Sequence, residues 1–574
     1  MIFVGEKKKR RDKKYEFWTD QIARKVFERK KFLYVDKPIP SSMFKKFTVK
    51  TSASISGVLH IGRLSDTIRG EAVTRSLLDV GKKADTEKKT EIIWVAEDMD
   101  PLRKVPEGIP ASANFIEYIG MPVTDIPDPW GCHKSYAEHH TTKYFEVLDK
   151  FVMLKMKKFS MREEYKKGNF NPYIKKLMQR QSVEQLVEIQ NKYRETKLSA
   201  EAWNPWTPIC KNCGKIITPR VIGFDAKTGK VRYKCEDYAF EKNIAKGCGY
   251  EDENDPLKGE GKLMWKSEWA AQWARWAVCA EGAGKEYQVP GSAFWINAEI
   301  CERLLDFPAP VPIFYEHLII NGQKMSASLG NVVYPNEWLK YAPAELLRLL
   351  FLKDPMRTRD FRWNVLPNMF DELDELEKAY YGVKTIASER DEYNAKRLFE
   401  IINIKKIEKN YAPKISFSTM VELAKTLPET DEKKQVEFVE KKIKELKLLG
   451  KATSKVKPKI TPKIVESVKE RLTFAKAYVG AFSKPTEEKP KQIGLSAAEK
   501  ELIKQLIKAI EEESAADKLQ SRIFEISKSG TMPPAEFFKL VYRILFSSDR
   551  GPRLGVYIID AGKSEIIKKL KEVV

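Results

Sequence analysis

The segment from Lys46 to Asp100 constrains the fold more than any other part of this chain. Lys46–Lys50 alternates as a short strand and gives way to the turn "SISGVLHIGRLSD" (Ser54–Asp66). Helical spacing then runs from near Leu59 to about Asp79, and "TEIIWVAEDMD" follows as a β-branched, aromatic run ending in acids. Strand, turn, helix and strand in that order need a crossover connection, so the two strands are expected to lie parallel in an α/β sheet. Upstream, residues 16–30 place Phe17, Ile22, Val26 and Phe27 at helical spacing. The bend itself holds His60 and Gly62. A glycine at a helix start lets a ligand approach the backbone, and the free N–H groups there favour anions. A neutral imidazole can donate to a phosphate oxygen and stabilise developing charge. A purely structural histidine at a helix start reads the same way, so the tripeptide alone does not decide.

At 574 residues the chain is too long for one core, and three to four domains are expected. From Trp203 to about Lys262 the texture changes to Gly, Pro, Asn and Cys, the mark of a small inserted domain. Apolar α/β texture returns from Leu263 to Asn331, and beyond Asn336 the chain reads as helical. Val436, Val439, Ile443 and Leu446 share one helical face. Lys/Pro-rich stretches at 451–463 and 483–494 read as linkers. Ser496 and Glu499 then spell a capping box ahead of Leu502, Ile503, Leu506 and Ile510. No apolar run reaches the length of roughly 18 residues that spans a bilayer. The run "KKKRRDKK" (Lys7–Lys14) is not followed by an apolar segment and cleavage site. A soluble cytoplasmic protein without membrane contact is therefore expected. The net charge of +22 favours a polyanionic partner, with a merely solvated basic surface as the alternative.

A second candidate phosphate site is "NGQKMSASLGN" (Asn321–Asn331), which follows "EHLII", read as a strand. Lys324 can reach a phosphate as a mobile point charge, and Ser326, Ser328 and the glycines suit a loop that closes over it. A flexible surface loop with a solvated lysine would look alike. The seven cysteines, in a chain where no secretory signal is expected, point to thiols or a metal rather than disulfides. Cys210 and Cys213 form a CxxC knuckle before Gly214, with Cys235 and Cys248 downstream. That set predicts a structural four-thiolate zinc ribbon, although twelve residues separate the last two ligands instead of about two. A degenerate ribbon without metal is the alternative. Cys132, Cys279 and Cys301 are expected as small buried hydrophobes. His139 and His140 are expected in structural or surface positions. His133 is expected near the pocket.

Taken together, the His60 turn and the Lys324 loop resemble the HIGH and KMSKS elements of class I aminoacyl-tRNA synthetases. "GMPVTDIPDPWGCHKSYAEHH" (Gly120–His140), "DMDPLRKVP" (Asp98–Pro106) and "DRGPRLG" (Asp549–Gly555) narrow the resemblance to the class I lysyl-tRNA synthetases of the mainly archaeal type. The likeness runs from about Phe17 to the C-terminus. It implies an α/β fold: a split Rossmann-type parallel-sheet catalytic domain with a zinc-ribbon-like insertion, then an α-helical C-terminal anticodon-binding region. The implied division is 1–202 and 263–335 for the catalytic halves, 203–262 for an acceptor-side insertion, 336–385 for a helical stem-contact segment and 386–574 for anticodon binding. It implies activation of L-lysine with ATP, Mg²⁺ riding on the phosphates, and transfer to the 3′-terminal ribose of tRNA(Lys). A monomer is favoured.

Residue by residue, the resemblance assigns His60, Gly62, Lys324, Ser326 and Ser328 to catalysis on the ATP phosphates, with Arg63 beside them. It assigns Ser52, Ser54, Asp98, Asp100, Glu268, Trp269 and Glu286 to the lysine pocket, where a desolvated ammonium needs a paired acid. Trp265, Trp273 and Trp276 read as core. The chain departs from the family at several of these positions. Ser52 and Ser54 stand for the usual glycine and threonine, and Arg63 for asparagine or histidine. Gln272 stands for arginine, and Glu286-Tyr287 for Asp-His. Two alternatives stay open: a glutamyl- or glutaminyl-type class I synthetase, and a tRNA-binding paralogue whose pocket has drifted from catalysis.

Overall fold

The computed structural model describes residues 15–55, 57–83, 89–106, 108–110, 113–325, 331–425, 432–446, 462–482, 494–530, 532–546, 549, 551 and 553–574. The N-terminal basic run, Ser326, Ser328 and most of the two Lys/Pro-rich linkers lie outside them.

Five strands form the central sheet: β1 (Lys46–Ser54), β2 (Lys89–Glu97), β3 (Lys157–Ser160), β4 (Val278–Gly284) and β5 (Val311–Tyr315). They lie in the order β5-β4-β1-β2-β3, every pair parallel. β1 is longer than its alternating half predicts and runs in register with β2 from Lys46↔Lys89 to Ser54↔Glu97. Phe47 to Thr51 are all buried, because both faces of a central parallel strand are covered and alternation is lost. The strand order reverses beside β1, between β2 and β4. The crevice that binds ligands in such sheets therefore opens at the carboxyl ends of β1 and β4.

Helix α1 (Trp18–Glu28) packs on α2 (Ile61–Lys83), which starts directly after His60. A Cβ at Gly70 of α2 would meet Thr51 Cγ2 at 2.4 Å, so the helix lies closer to β1 than any other residue type would permit. In the middle of α2, Glu71 meets the fully buried Arg348 at 2.7 Å. That guanidinium also donates to the carbonyls of Phe151, Ile401 and Ile402, so four of its five N–H groups are engaged inside the protein.

The insertion closes where Trp206–Pro208 pairs antiparallel with Gly261–Leu263. Inside it, Pro219–Phe224, Val231–Cys235 and Glu251–Asn254 form a three-stranded antiparallel sheet. The twelve residues between Cys235 and Cys248 fold into a hairpin of Tyr238–Ala239 and Ile244–Ala245.

Two compact units result. The first is Met1–Asn336, Leu347–Phe361 and Ile401–Lys405; the second is Glu337–Leu346, Arg362–Glu400 and Lys406–Val574. The second is helical, and its last helices, from Ala497–Glu512 to Lys563–Lys571, close on a core that includes Leu506, Ile510, Leu519, Phe537 and Val541. The capping box at Ser496 and Glu499 is formed as the sequence predicts. Among the described residues no helix is long and apolar enough to cross a membrane.

Candidate functional site

The two loops that the sequence leaves far apart are neighbours. A Cβ at Gly62 would stand 2.7 Å from Met325 Cε, the residue after Lys324. Ile61 N–H donates to Val333 O at 2.9 Å, closing the far side of the lysine loop onto the start of α2. Gly62 N–H donates to His60 Nδ1 at 3.1 Å. That bond leaves the ring proton on Nε2, where it can be offered to an anion. Burial, then the charge of Arg63, pushes the imidazole down to about 4, so it is neutral at physiological pH. Lys324 is exposed at the end of a short hairpin strand. Ser326 and Ser328, expected beside it, fall outside the described residues.

Beneath this turn lies a buried ionic cluster that the sequence shows only in part. Lys50, fully buried on β1, donates to Glu281 of β4 at 2.7 Å and stands 3.6 Å from Glu97 of β2. Trp269 Nε1 donates to Glu281 at 3.0 Å, and Trp273 Nε1 donates to its other oxygen. Gln272 holds Glu97 at 3.1 Å. Alongside, Lys262 bridges Glu268 at 3.0 Å and Asp100 at 3.4 Å. Tyr165 donates to Glu268 at 2.7 Å, and Ser54 donates to Asp100 at 2.9 Å. Asp66 accepts Ser52 N–H at 3.2 Å.

Five carboxyls (Asp66, Glu97, Asp100, Glu268 and Glu281) thus face two ammonium groups. Burial, opposed by Lys50 and reinforced by Glu268, pushes Glu97 up to about 8. Burial, reinforced by Glu281, pushes Asp66 up to about 6. Asp66 Oδ1 and Gln272 Oε1 are buried without a hydrogen-bond partner. Only Asp100, with 36% of its side chain exposed, opens the cluster to solvent.

The remaining expected pocket residues are placed differently. Asp98 accepts Arg162 N–H at 3.0 Å and anchors the start of the short helix Met161–Lys166 that follows β3. Glu286 is exposed and pairs with His317 at 3.2 Å, while Tyr287 packs edge-on against Trp269 at 5.3 Å. Trp273 is core, as the sequence suggests, and also a donor to Glu281. Lys50, Lys262, Glu97, Glu281 and Tyr165 were not legible as site residues. The available signal was a charge within an apolar parallel strand, which has to find a partner.

Two donor sets have the geometry of metal sites. Cys210, Cys213, Cys235 and Cys248 bring four sulfurs within 4.8 Å of one another. Cys210 and Cys248 are 3.7 Å apart, and Cys213 and Cys235 3.6 Å. A tetrahedral ion with bonds of about 2.3 Å to sulfur requires edges of roughly 3.8 Å. Gly214, at φ +71°, makes the tight turn after the first pair. The hairpin between the second pair explains the long spacing, since it leaves Cys235 and Cys248 adjacent.

The second set is Asp128, Cys132, His133 and His139. Cys132 Sγ is 3.1 Å from His133 Nδ1 and 3.2 Å from His139 Nδ1, and Asp128 Oδ1 is 3.3 Å from His139 Nδ1. This corrects the expectation for Cys132, which is exposed and not a buried hydrophobe; Cys279 and Cys301 are buried as expected. Burial opposes the Asp128 charge, yet N–H donation from Trp130 and contacts from Cys132 and His133 hold its carboxyl well below the usual range. Gly120 joins the two loops: its carbonyl accepts Ile216 N–H at 2.9 Å.

Comparison with known proteins agrees with this geometry. A lysine--tRNA ligase from Methanosphaera stadtmanae is 27% identical, covering 96% of this chain and 99% of its own. One from Cenarchaeum symbiosum is 29% identical, covering 96% and 97%. A solved glutamate tRNA ligase from Elizabethkingia meningosepticum aligns with 92% of this chain and 99% of its own at 13% identity and a TM-score of 0.31, too distant to carry weight. Residues 16–405, which hold the His60 turn, the Lys324 loop and the buried acid cluster, match the tRNA synthetases class I (K), and the chain belongs to that family.

Proposed function

We propose that the protein is a lysine--tRNA ligase, which forms lysyl-adenylate from L-lysine and ATP and passes the lysyl group to the 2′-hydroxyl of the terminal ribose of tRNA(Lys). The observation that carries the substrate assignment is the carboxyl excess around β1, β2 and β4: five carboxyls face Lys50, Lys262 and, beside Asp66, the buried Arg69, with Asp66 Oδ1 left without a hydrogen-bond partner. A further ammonium entering past Asp100 and Ser54 meets charges that need it. A glutamate side chain would add one more carboxylate and is repelled.

ATP then lies across the His60 turn and the Lys324 loop; their close approach at Gly62 and Met325 supports a shared set of phosphates. The substrate carboxylate attacks the α-phosphorus and pyrophosphate leaves. His60 Nε2–H and the Lys324 ammonium stabilise the charge that moves onto the phosphate oxygens. The family resemblance assigns Ser326 and Ser328, outside the described residues, to the same phosphates; Arg63 pairs with a phosphate, and Mg²⁺ arrives on the nucleotide. No protein nucleophile is required. Trp269 and Tyr287 wall the pocket, and Glu286 stands at its mouth. The two donor sets hold structural zinc: their ligand types and spacings fit that ion, and no step of the reaction runs through it. The helical second unit reads the anticodon end.

ATP–pyrophosphate exchange with each amino acid in turn, with tRNA present, tests the reading. Lysine-dependent exchange is expected. Glutamate-dependent exchange, or none alongside tight tRNA binding, would overturn it.

A further inference from the structure

Of the twelve tryptophans, all within the described residues, only Trp130 is exposed, at 40%. An indole carries more apolar surface than any other side chain, and soluble surfaces normally cover it. Here the fold fixes it in place. Asp128 accepts N–H bonds from Trp130 at 3.2 Å, Cys132 at 2.9 Å and His133 at 2.8 Å, which locks the loop. The indole stacks on His139 with centroids 4.2 Å apart and planes 26° apart. It lies nearly parallel to Tyr136 at 6.4 Å, and His140 meets it edge-on at 5.7 Å. A fixed aromatic cluster results, with 40% of Trp130 left to solvent.

Its surroundings fit a nucleic acid. Lys143 Nζ lies 5.9 Å from the indole centroid, and Lys134 is exposed on the same loop. Asp128 has its side chain fully shielded and its oxygens engaged by amides, while the exposed Glu138 accepts Lys134 N–H at 3.0 Å. The platform also borders the catalytic turn. Tyr136 Oη is 3.4 Å from the position of a Cβ on Gly57, three residues before His60, and Val58 between them is 59% exposed.

We propose that Trp130 is the stacking platform for a base of the single-stranded 3′ end of tRNA, holding the terminal ribose at the adenylate. Stacking on an open aromatic face with flanking cations is how sequence-tolerant single-strand contacts are made. The identity of this RNA rests on the ligase reading above. The same adenine chemistry is offered by free ATP, and the experiment separates the two.

The accessibility of Trp130 makes it the fluorophore that iodide quenches. With the full-length protein, intact tRNA(Lys) is expected to remove most iodide quenching, whereas tRNA(Lys) trimmed of its three terminal nucleotides, or ATP alone, leaves it. Trp130→Phe should abolish the quenchable component and hold KM for tRNA within about threefold, while Trp130→Ala should raise that KM about tenfold. Equal protection by trimmed tRNA, protection by ATP alone, or an unchanged KM in Trp130→Ala would each overturn the assignment. Absence of lysine-dependent exchange with protection retained would remove the ligase reading and leave the platform standing. Lysine-dependent exchange without protection would remove the platform alone.

Discussion

Lys50 shows how a single residue can set the electrostatics of this site. It stands on the central strand with no solvent, and its charge is balanced by Glu281, 231 positions away, and by Glu97. Nothing local in "KFTVKTSAS" names those partners, so the sequence reveals a strand but not its role. Replacing Lys50 by methionine leaves the buried Glu281 carboxylate without its counter-charge and should cost about 3–5 kcal/mol in urea unfolding. The double variant Lys50→Met with Glu281→Gln should recover much of that loss. Glu97 gives a pH signature. Its carboxyl is raised from 4.5 to about 8 in the folded protein, so the native state binds more protons than the unfolded chain across that range. Stability therefore falls as pH rises from about 4.5 toward 8. Glu97→Gln should flatten the decline of Tm over those pH values; an unaltered slope would show that the proton resides elsewhere. Asp98 and Asp100 look equivalent at a strand end, yet only Asp100 reaches the cluster, because β2 stops at Glu97 and the chain turns across Asp98–Asp100, so the alternation that would set i and i+2 on one face is lost.

The elements divide by how local their signals are. The His60 turn, the start of α2 and the capping box at Ser496 were legible because each is decided within a few residues. The four-cysteine ribbon was legible from its CxxC half alone. The Asp128 loop was missed although Asp128, Cys132, His133 and His139 fall within one quoted block, because carboxylate, thiol and imidazole together lack a fixed sequence spacing. Protein prepared without added metal should contain two zinc equivalents per chain by elemental analysis. Cys213→Ser and Cys132→Ser should each lose one. A single equivalent in the wild type would leave the Asp128 loop as a hydrogen-bonded turn. Gly282 on β4 is another local constraint with a distant cause. A Cβ there would meet Asp66 Oδ1 at 1.8 Å, so Gly282→Ala should displace the buried Asp66 carboxyl from Ser52 N–H and destabilise by about 1–3 kcal/mol.

At the scale of the molecule, the charge of +22 and the buried pocket predict two different salt responses. Affinity for tRNA should fall by roughly a hundredfold or more between 50 and 200 mM salt, as phosphate contacts are exchanged for counterions. KM for lysine should hardly move, since its counter-charges are shielded from the solvent. A shallow salt response of tRNA binding would place the basic excess away from the RNA. The broad order of α/β, insertion and helices was readable from texture, whereas the meeting of Gly62 with Met325 was not, because distance along the chain carries no information on distance in space. The two units also interleave: after Asn336 the chain leaves the first unit, returns for Leu347–Phe361, and returns again for Ile401–Lys405. Arg348, together with the carbonyls of Ile401 and Ile402, belongs to those returning pieces and seals the middle of α2. On the ribosome, the catalytic half therefore cannot finish folding when its last strand has been made. It must wait, with Glu71 uncapped, until Lys405 has emerged, and a chaperone that shields α2 during that interval would decide how much of the nascent chain survives.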